Sequence, residues 1–200
     1  YQRCRRIVDE ARLAHEQLGE LLAQPSGVLR ASLPVDFATT YMAPLIAEFA
    51  RRHPGITFDF DLTPRRVDLV SEPFDVAIRM GELSDSNLIA RLLARLPVGA
   101  YASPRYLEVS GEPEHARDLA QHECLGFPKA GQWVLHCGDE IAEVDVSGRF
   151  QVNSVGMLRR LATLDLGVIM LSDEIAADDV AAGRLRRLLP AWQGKATPVY

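Results

Sequence analysis

Cysteine is scarce. Cys4, Cys124 and Cys137 are the three in 200 residues, an odd and widely spaced set. Such a set builds no disulfide framework and fits a reduced, cytoplasmic setting. Long apolar runs are missing too. No stretch reaches the roughly twenty residues that cross a bilayer, so no membrane partner is expected. The opening Tyr1-Gln2-Arg3-Cys4-Arg5-Arg6 is polar, without the apolar core of an export signal. It also lacks a starting methionine, so the chain is read as a piece of a longer one. Positive charge is short: 22 Lys and Arg stand against 27 Asp and Glu, for a net charge of −5 and a pI near 5.6. Phosphate binding needs a basic face, so an acidic body like this is not expected to hold nucleic acid by itself.

Catalytic signatures are missing as well. The histidines at 15, 53, 115, 122 and 136 lie far apart, with no metal-ligand spacing such as HExxH. No G-x-S-x-G elbow, P-loop or G-x-G-x-x-G occurs. His122 and Cys124 stand two apart and read either as a metal pair or as a satisfied structural pair. Cys124 is a nucleophile only beside a placed base, and its apolar strand favours an inert buried thiol. Asp59 and Asp61 share one face of a strand, which suits paired carboxylates or a wet sheet edge. No catalytic set, metal or cofactor is expected, and the chain is not read as an enzyme.

What is there is an ordinary globular composition, 48% hydrophobic and 24% charged. Residues 1–23 carry Ile7, Ala11, Ala14, Leu18 and Leu21 at heptad-like steps. That stripe predicts a helix that pairs with another or lies on its own body. Gln24-Pro25-Ser26-Gly27 interrupts it. Residues 28–33 read as a strand stopped by Pro34, with Asp36 and Thr39 as candidate caps of a helix over 39–53. Strand-like alternation follows at 56–62, its acidic face suggesting a sheet edge. A short helix is expected over 65–71, a strand over 75–80, and a polar loop over 82–87. Residues 27–81 thus read β-α-β-α-β, the pattern of a parallel sheet. Two strand-like segments flank Pro97. Short helices follow near 104–107 and 115–121. A strand at 124–127, a meander over 133–152, a helix over 155–164, an apolar strand at 168–171 and a helix from 173 to 182 complete the body. A last strand spans 185–189, and another begins at Pro198. Two helix starts, near 33–39 and near 153–156, fall in different halves. If they share one crevice, their backbone N–H groups suit a small anion.

The order of short motifs is similar to the effector-binding domain of LysR-type transcriptional regulators. Carrying the likeness are Gly27, Leu29, Arg30, Ser32 and Pro34; Pro44, Leu45 and Phe49; and His53-Pro54. Most specific is Glu72-x-Phe-Asp-Val-Ala-Ile-Arg-x-Gly81. Ala102-Ser-Pro104-x-Tyr-Leu107, Asp118-Leu-x-x-His122, Gly148-Arg-Phe-x-Val-Asn153, Gly183-Arg-Leu185 and Leu189-Pro-x-Trp192 extend it almost to the end. The resemblance departs at Ser172, where such regulators commonly carry proline.

The resemblance implies an α/β, two-lobed, periplasmic-binding-protein-like (type 2) fold, with mixed sheets flanked by helices and a linker helix ahead. Residues 1–26 would be linker and dimerisation helix, 27–97 the first lobe without its return segment, and 98–200 the second. Strands near 96–101 and 197–200 would cross between them. A small effector, a carboxylate or other anion, would lie between the lobes. Its walls would be Ser32, Leu33, Pro34, Phe37, Leu62, Thr63, Met80 and Gly81 from the first. Tyr101, Ala102, Ser103, Phe127, Val152, Asn153 and Ser154 would complete them. The resemblance also implies a homodimer or homotetramer, with helix 39–53 and strand 56–62 as the dimer surface. DNA would be bound only through a helix-turn-helix domain outside this chain. The alternative on the same fold is a solute-binding protein of a transport system.

Overall fold

The computed structural model describes residues 25–63, 71–82, 89–128 and 131–200. The helix expected over 1–23, most of helix 65–71 and most of loop 82–87 lie outside the described residues.

The first lobe is built on a parallel sheet in the order β2-β1-β3, with β1 at Gly27–Ser32, β2 at Ile56–Asp61 and β3 at Val76–Ala77. Gly27 lies opposite Ile56, and Ser32 opposite Asp61. The acidic strand is the edge, as its alternation suggests, and Asp59 reaches back 3.5 Å to Arg30 on β1. Helix α1 follows β1 and has three parts: a first turn Val35–Phe37, a π-helical turn Ala38–Met42 and a regular stretch Ala43–Arg52. Pro44 explains the middle part. It has no N–H, and its ring presses on the carbonyl one turn back. The turn ahead of it widens, and the Ala43 N–H bonds to the Ala38 carbonyl five residues earlier.

Neither expected cap closes this helix. It starts directly behind Pro34, whose side chain makes no cap bond. Asp36 falls within the first turn, where a carboxylate meets the positive end of the helix dipole. The Thr39 hydroxyl donates to the Val35 carbonyl at 3.0 Å. The strand expected over 75–80 shrinks to two residues, because the chain beyond Ile78 turns to another partner. Arg79 and Tyr200 exchange backbone bonds of 2.8 and 2.9 Å.

The second sheet has seven strands, in the order β5-β8-β4-β10-β6-β7, with β9 also on β4. Their ranges are β4 Ala94–Ala102, β5 Cys124–Leu125, β6 Gln132–Cys137, β7 Glu140–Asp145, β8 Val168–Ser172, β9 Arg186–Leu188 and β10 Gln193–Val199. Helices α2 (Pro104–Ser110), α3 (Val155–Ala162) and α4 (Asp173–Ala181) and a 3-10 helix (Ala116–Gln121) cover its faces. β4 runs unbroken through Pro97, where the sequence pattern suggests two segments. Proline leaves no N–H for a ladder, and β10 answers with a bulge between Gly194 and Thr197, opposite that gap.

Alternation along β4 and β8 places residues on both faces. Ala100, Ala102 and Val168 join a core with Leu119, Leu135, Leu188 and Trp192. Tyr101, Ile169 and Leu171 join another with Leu125, Leu158 and Ile175. Each fully buried Leu or Ile contributes about 2 kcal/mol. The first lobe has its own core around Leu33, Phe37, Ala38 and Ile78, which also takes in Leu96 of β4 and Val199 of β10. β4 and β10 are therefore the elements common to both halves. No helix among the described residues is long and apolar enough to cross a membrane.

Candidate functional site

The starts of α1 and α3 meet. α3 begins behind Ser154, whose hydroxyl accepts from the Met157 N–H at 3.3 Å. Gly156, in its first turn, carries no side chain where a Cβ would lie 2.8 Å from Asp36 Oδ1. The Asp36 carboxylate of the first lobe thus rests against the N-terminal turn of a second-lobe helix, which the helix dipole favours. One turn further along α1, the Tyr41 hydroxyl lies 2.8 Å from Ser172 Oγ and 3.0 Å from Glu174 Oε2. Burial is the main cause holding the Tyr41 phenol above its ordinary pKa.

Beside this contact lies a cavity of about 160 Å3 whose walls include Val98, Phe127, Trp133, Val155, Met170 and Thr197. Gly194 shapes one wall, since a Cβ there would come within 2.3 Å of the Met170 methyl group. At the carboxyl end of β1 sits a cation. Arg79 donates to Ser32 Oγ at 2.8 Å, to the Ser32 carbonyl at 3.1 Å and to the Ile78 carbonyl at 2.7 Å.

The expected wall residues divide. Pro34, Asn153 and Ser154 lie at the two helix starts, and Asn153 is exposed. Phe127 lines the cavity and is 44% exposed. Val152 is held beside it by a 3.0 Å bond from its N–H to the Gly126 carbonyl. Ser32 and Leu33 are buried, with Ser32 under Arg79. Phe37 is buried in the first-lobe core and stacks on Tyr41, ring centroids 5.1 Å apart. Leu62 is exposed, and Thr63 is half-buried beyond the edge strand. Met80 bridges to Val199, and the Gly81 N–H donates to the Pro198 carbonyl at 2.9 Å.

Three residues are placed elsewhere. Ala102 is wholly buried in a second-lobe core. The Ser103 hydroxyl is taken up, accepting from the Tyr106 N–H at 3.1 Å and donating to Asp165 at 2.7 Å. The Tyr101 hydroxyl donates to Asp173 at 2.6 Å and accepts from Arg187 at 3.0 Å. Burial, then the Asp173 bond, raises its pKa, against Arg187.

Sequence reasoning missed Arg79, Val98, Met170 and Thr197. Arg79 had a signal, a lone cation ending an apolar strand. The others are ordinary strand residues whose position follows from which strands cross.

The His122–Cys124 pair is structural. Burial pushes the Cys124 thiol up to about 12, and its S–H donates to the Leu119 carbonyl at 3.4 Å. His122 Nδ1 faces the Tyr106 hydroxyl at 3.2 Å. Among the described residues no group of three His, Cys, Asp or Glu converges as metal ligands.

Residues 22–200 match the family described as LysR substrate binding domain. An HTH-type transcriptional regulator of Xanthomonas campestris pv. campestris is 33% identical over 201 residues, covering 97% of this chain and 58% of its own length. HTH-type transcriptional regulator CrgA of Neisseria meningitidis serogroup C is 33% identical over 192 residues, covering 94% of this chain and 64% of that protein. The full-length Vibrio cholerae virulence activator AphB superposes with a TM-score of 0.78 at 26% identity, over 100% of this chain and 69% of that one. The CrgA regulatory domain does so at 0.74 and 32% identity, over 88% of this chain and 89% of that one. The chain thus spans about three fifths of the length of the first two relatives.

Proposed function

The chain belongs to the LysR family through its substrate-binding domain, and from that premise we propose that it senses a small effector for a DNA-binding transcriptional regulator. The relatives compared above are named as transcriptional regulators, which favours this reading over a transport solute binder and over an enzyme. The observation that carries it is the meeting of the α1 and α3 starts beside an open cavity. The effector is small, and its apolar part fits the walls at Phe127 and Val155. Its anionic group takes the place against α3 that Asp36 now holds, with Arg79 as the nearby cation. Binding then competes with a contact between the lobes, so it shifts their arrangement only as far as it favours one state over the other. The protein is proposed to act as a cytoplasmic homodimer or homotetramer, without a membrane partner. DNA is contacted through a helix-turn-helix domain outside this chain. The apolar face of α1 and strand β2 form the dimer surface, where Leu45 and Phe49 line a groove shared with Phe58 and stand 57% and 40% exposed.

Thermal unfolding against aromatic and aliphatic carboxylates tests the reading. A ligand at one hundred times its Kd stabilises the native state by about 2.7 kcal/mol. For a domain of this size that is a rise in midpoint of roughly 5–10 °C. The expected result is a rise with at least one carboxylate, lost in Asn153→Ala and enlarged in Asp36→Asn. A flat response across the panel would sink the effector site and leave an oligomerisation body.

A further inference from the structure

We propose that Tyr41 is a clasp that fixes the angle between the two lobes and ties that angle to the crossing strand β4. Two independent observations place it there. Tyr41 packs against the first-lobe core and also against the second-lobe core around Leu158 and Leu171. Its hydroxyl meets Ser172 Oγ at 2.8 Å and Glu174 Oε2 at 3.0 Å, both at the start of α4. The π-helical turn matters here. A regular helix would rotate position 41 by up to about a quarter of a turn relative to the stretch behind Pro44.

The contact does not end at α4. Asp173, between Ser172 and Glu174, accepts from the Tyr101 hydroxyl on β4 at 2.6 Å and is also bonded by Arg187. Arg187 lies flat over β4, its guanidinium carbon 1.8 Å from where a Cβ on Gly99 would be. It also donates to the Trp192 carbonyl, one residue before β10, at 3.3 Å. Bonds therefore run without a gap from α1 through the α4 start to β4 and the head of β10. Opening the lobes at Tyr41 breaks the first link, and the rest of the chain of bonds ends on the strands that must bend. This holds whatever the effector is.

The test is the distance between the lobes, read by paired spin labels. Labels go on Arg51→Cys and Val109→Cys, both exposed, in a Cys4→Ser, Cys137→Ser background. Labelled chains are diluted with unlabelled ones, so that only distances within a chain are seen. Tyr41→Phe keeps the ring and removes the hydroxyl. It is expected to shift the distribution to longer distance and broaden it. Ser172→Ala is expected to do the same in part, and the double variant to go no further than Tyr41→Phe, since both remove one link. An unchanged distribution in Tyr41→Phe, or shifts that simply add, overturns the proposal. Circular dichroism of each variant confirms that the lobes stay folded, and Ser172→Ala gives a second reading should Tyr41→Phe fail that check.

Discussion

The Tyr106 hydroxyl accepts from the Glu123 backbone N–H at 3.0 Å and faces His122 Nδ1 at 3.2 Å. The imidazole is thus held inside the second lobe by a neutral partner. Burial is the main cause holding the His122 pKa below its ordinary value, opposed by Asp118. The unfolded chain takes up a proton near pH 6.5 and the native one resists it, so the unfolded state binds more protons just below that pH. The stability from a neutral His122 is whole above about pH 6.5 and is lost as the pH falls towards the native value. Urea unfolding at pH 7.5 and 5.5 is expected to show a larger drop in midpoint for the parent than for His122→Gln. Equal drops would mean that His122 contributes nothing to the acid sensitivity. Residue roles of this kind were half legible. The inert reading of Cys124 followed from its apolar strand, whereas Arg79 stood out only as a cation ending an apolar run, and its bond to Ser32 came from the pairing of β1 with β3.

Helix α3 has eight residues and one side-chain cap, the Ser154 hydroxyl on the Met157 N–H. Ser154→Ala is expected to cost about 1 kcal/mol. In a domain of this size that lowers the midpoint by roughly 2–4 °C in a thermal scan. A cap loss of that size without any change in effector response would separate the structural serine from its neighbour Asn153. The helix start near 153–156, the hairpin of β6 and β7 and the helix behind Ser172 were all legible, because each rests on local signals. Three elements were not. The π-helical turn leaves no mark on apolar spacing, and only Pro44 hints at it. Pro97 made β4 look like two pieces, although a bulge in its neighbour absorbs the missing donor. β10, with Gly194, Lys195 and Pro198, has no alternating pattern and owes its strand form to β4 and β6 on either side.

At the scale of the whole molecule, two adjacent helix residues are expected to behave differently. Both line one apolar groove with Phe58, Phe60 and Ile78, but Leu45 is 57% exposed at its rim and Ile46 is half-buried. Leu45→Glu should weaken self-association in sedimentation velocity while leaving the unfolding midpoint within a degree or two. Ile46→Glu places a charge against apolar walls and should destabilise the first lobe instead. The opposite pattern would move the proposed dimer surface elsewhere. Two lobes, and roughly where the chain crosses between them, were legible because the order of motifs carried them, although the full extent of β4 and β10 was not. The cavity was not, since its walls come from strands far apart in sequence. The crossing itself has a mechanical consequence. β4 and β10 make a ribbon two strands wide, with peptide planes along it and hydrogen bonds across it. Stretching such a ribbon strains covalent geometry, while twisting it only turns soft dihedrals. It behaves as a torsion bar with its weak point at the bulge opposite Pro97. Whatever one lobe communicates to the other is then a rotation, and the stiffness of the bar sets how far a bound molecule can turn it.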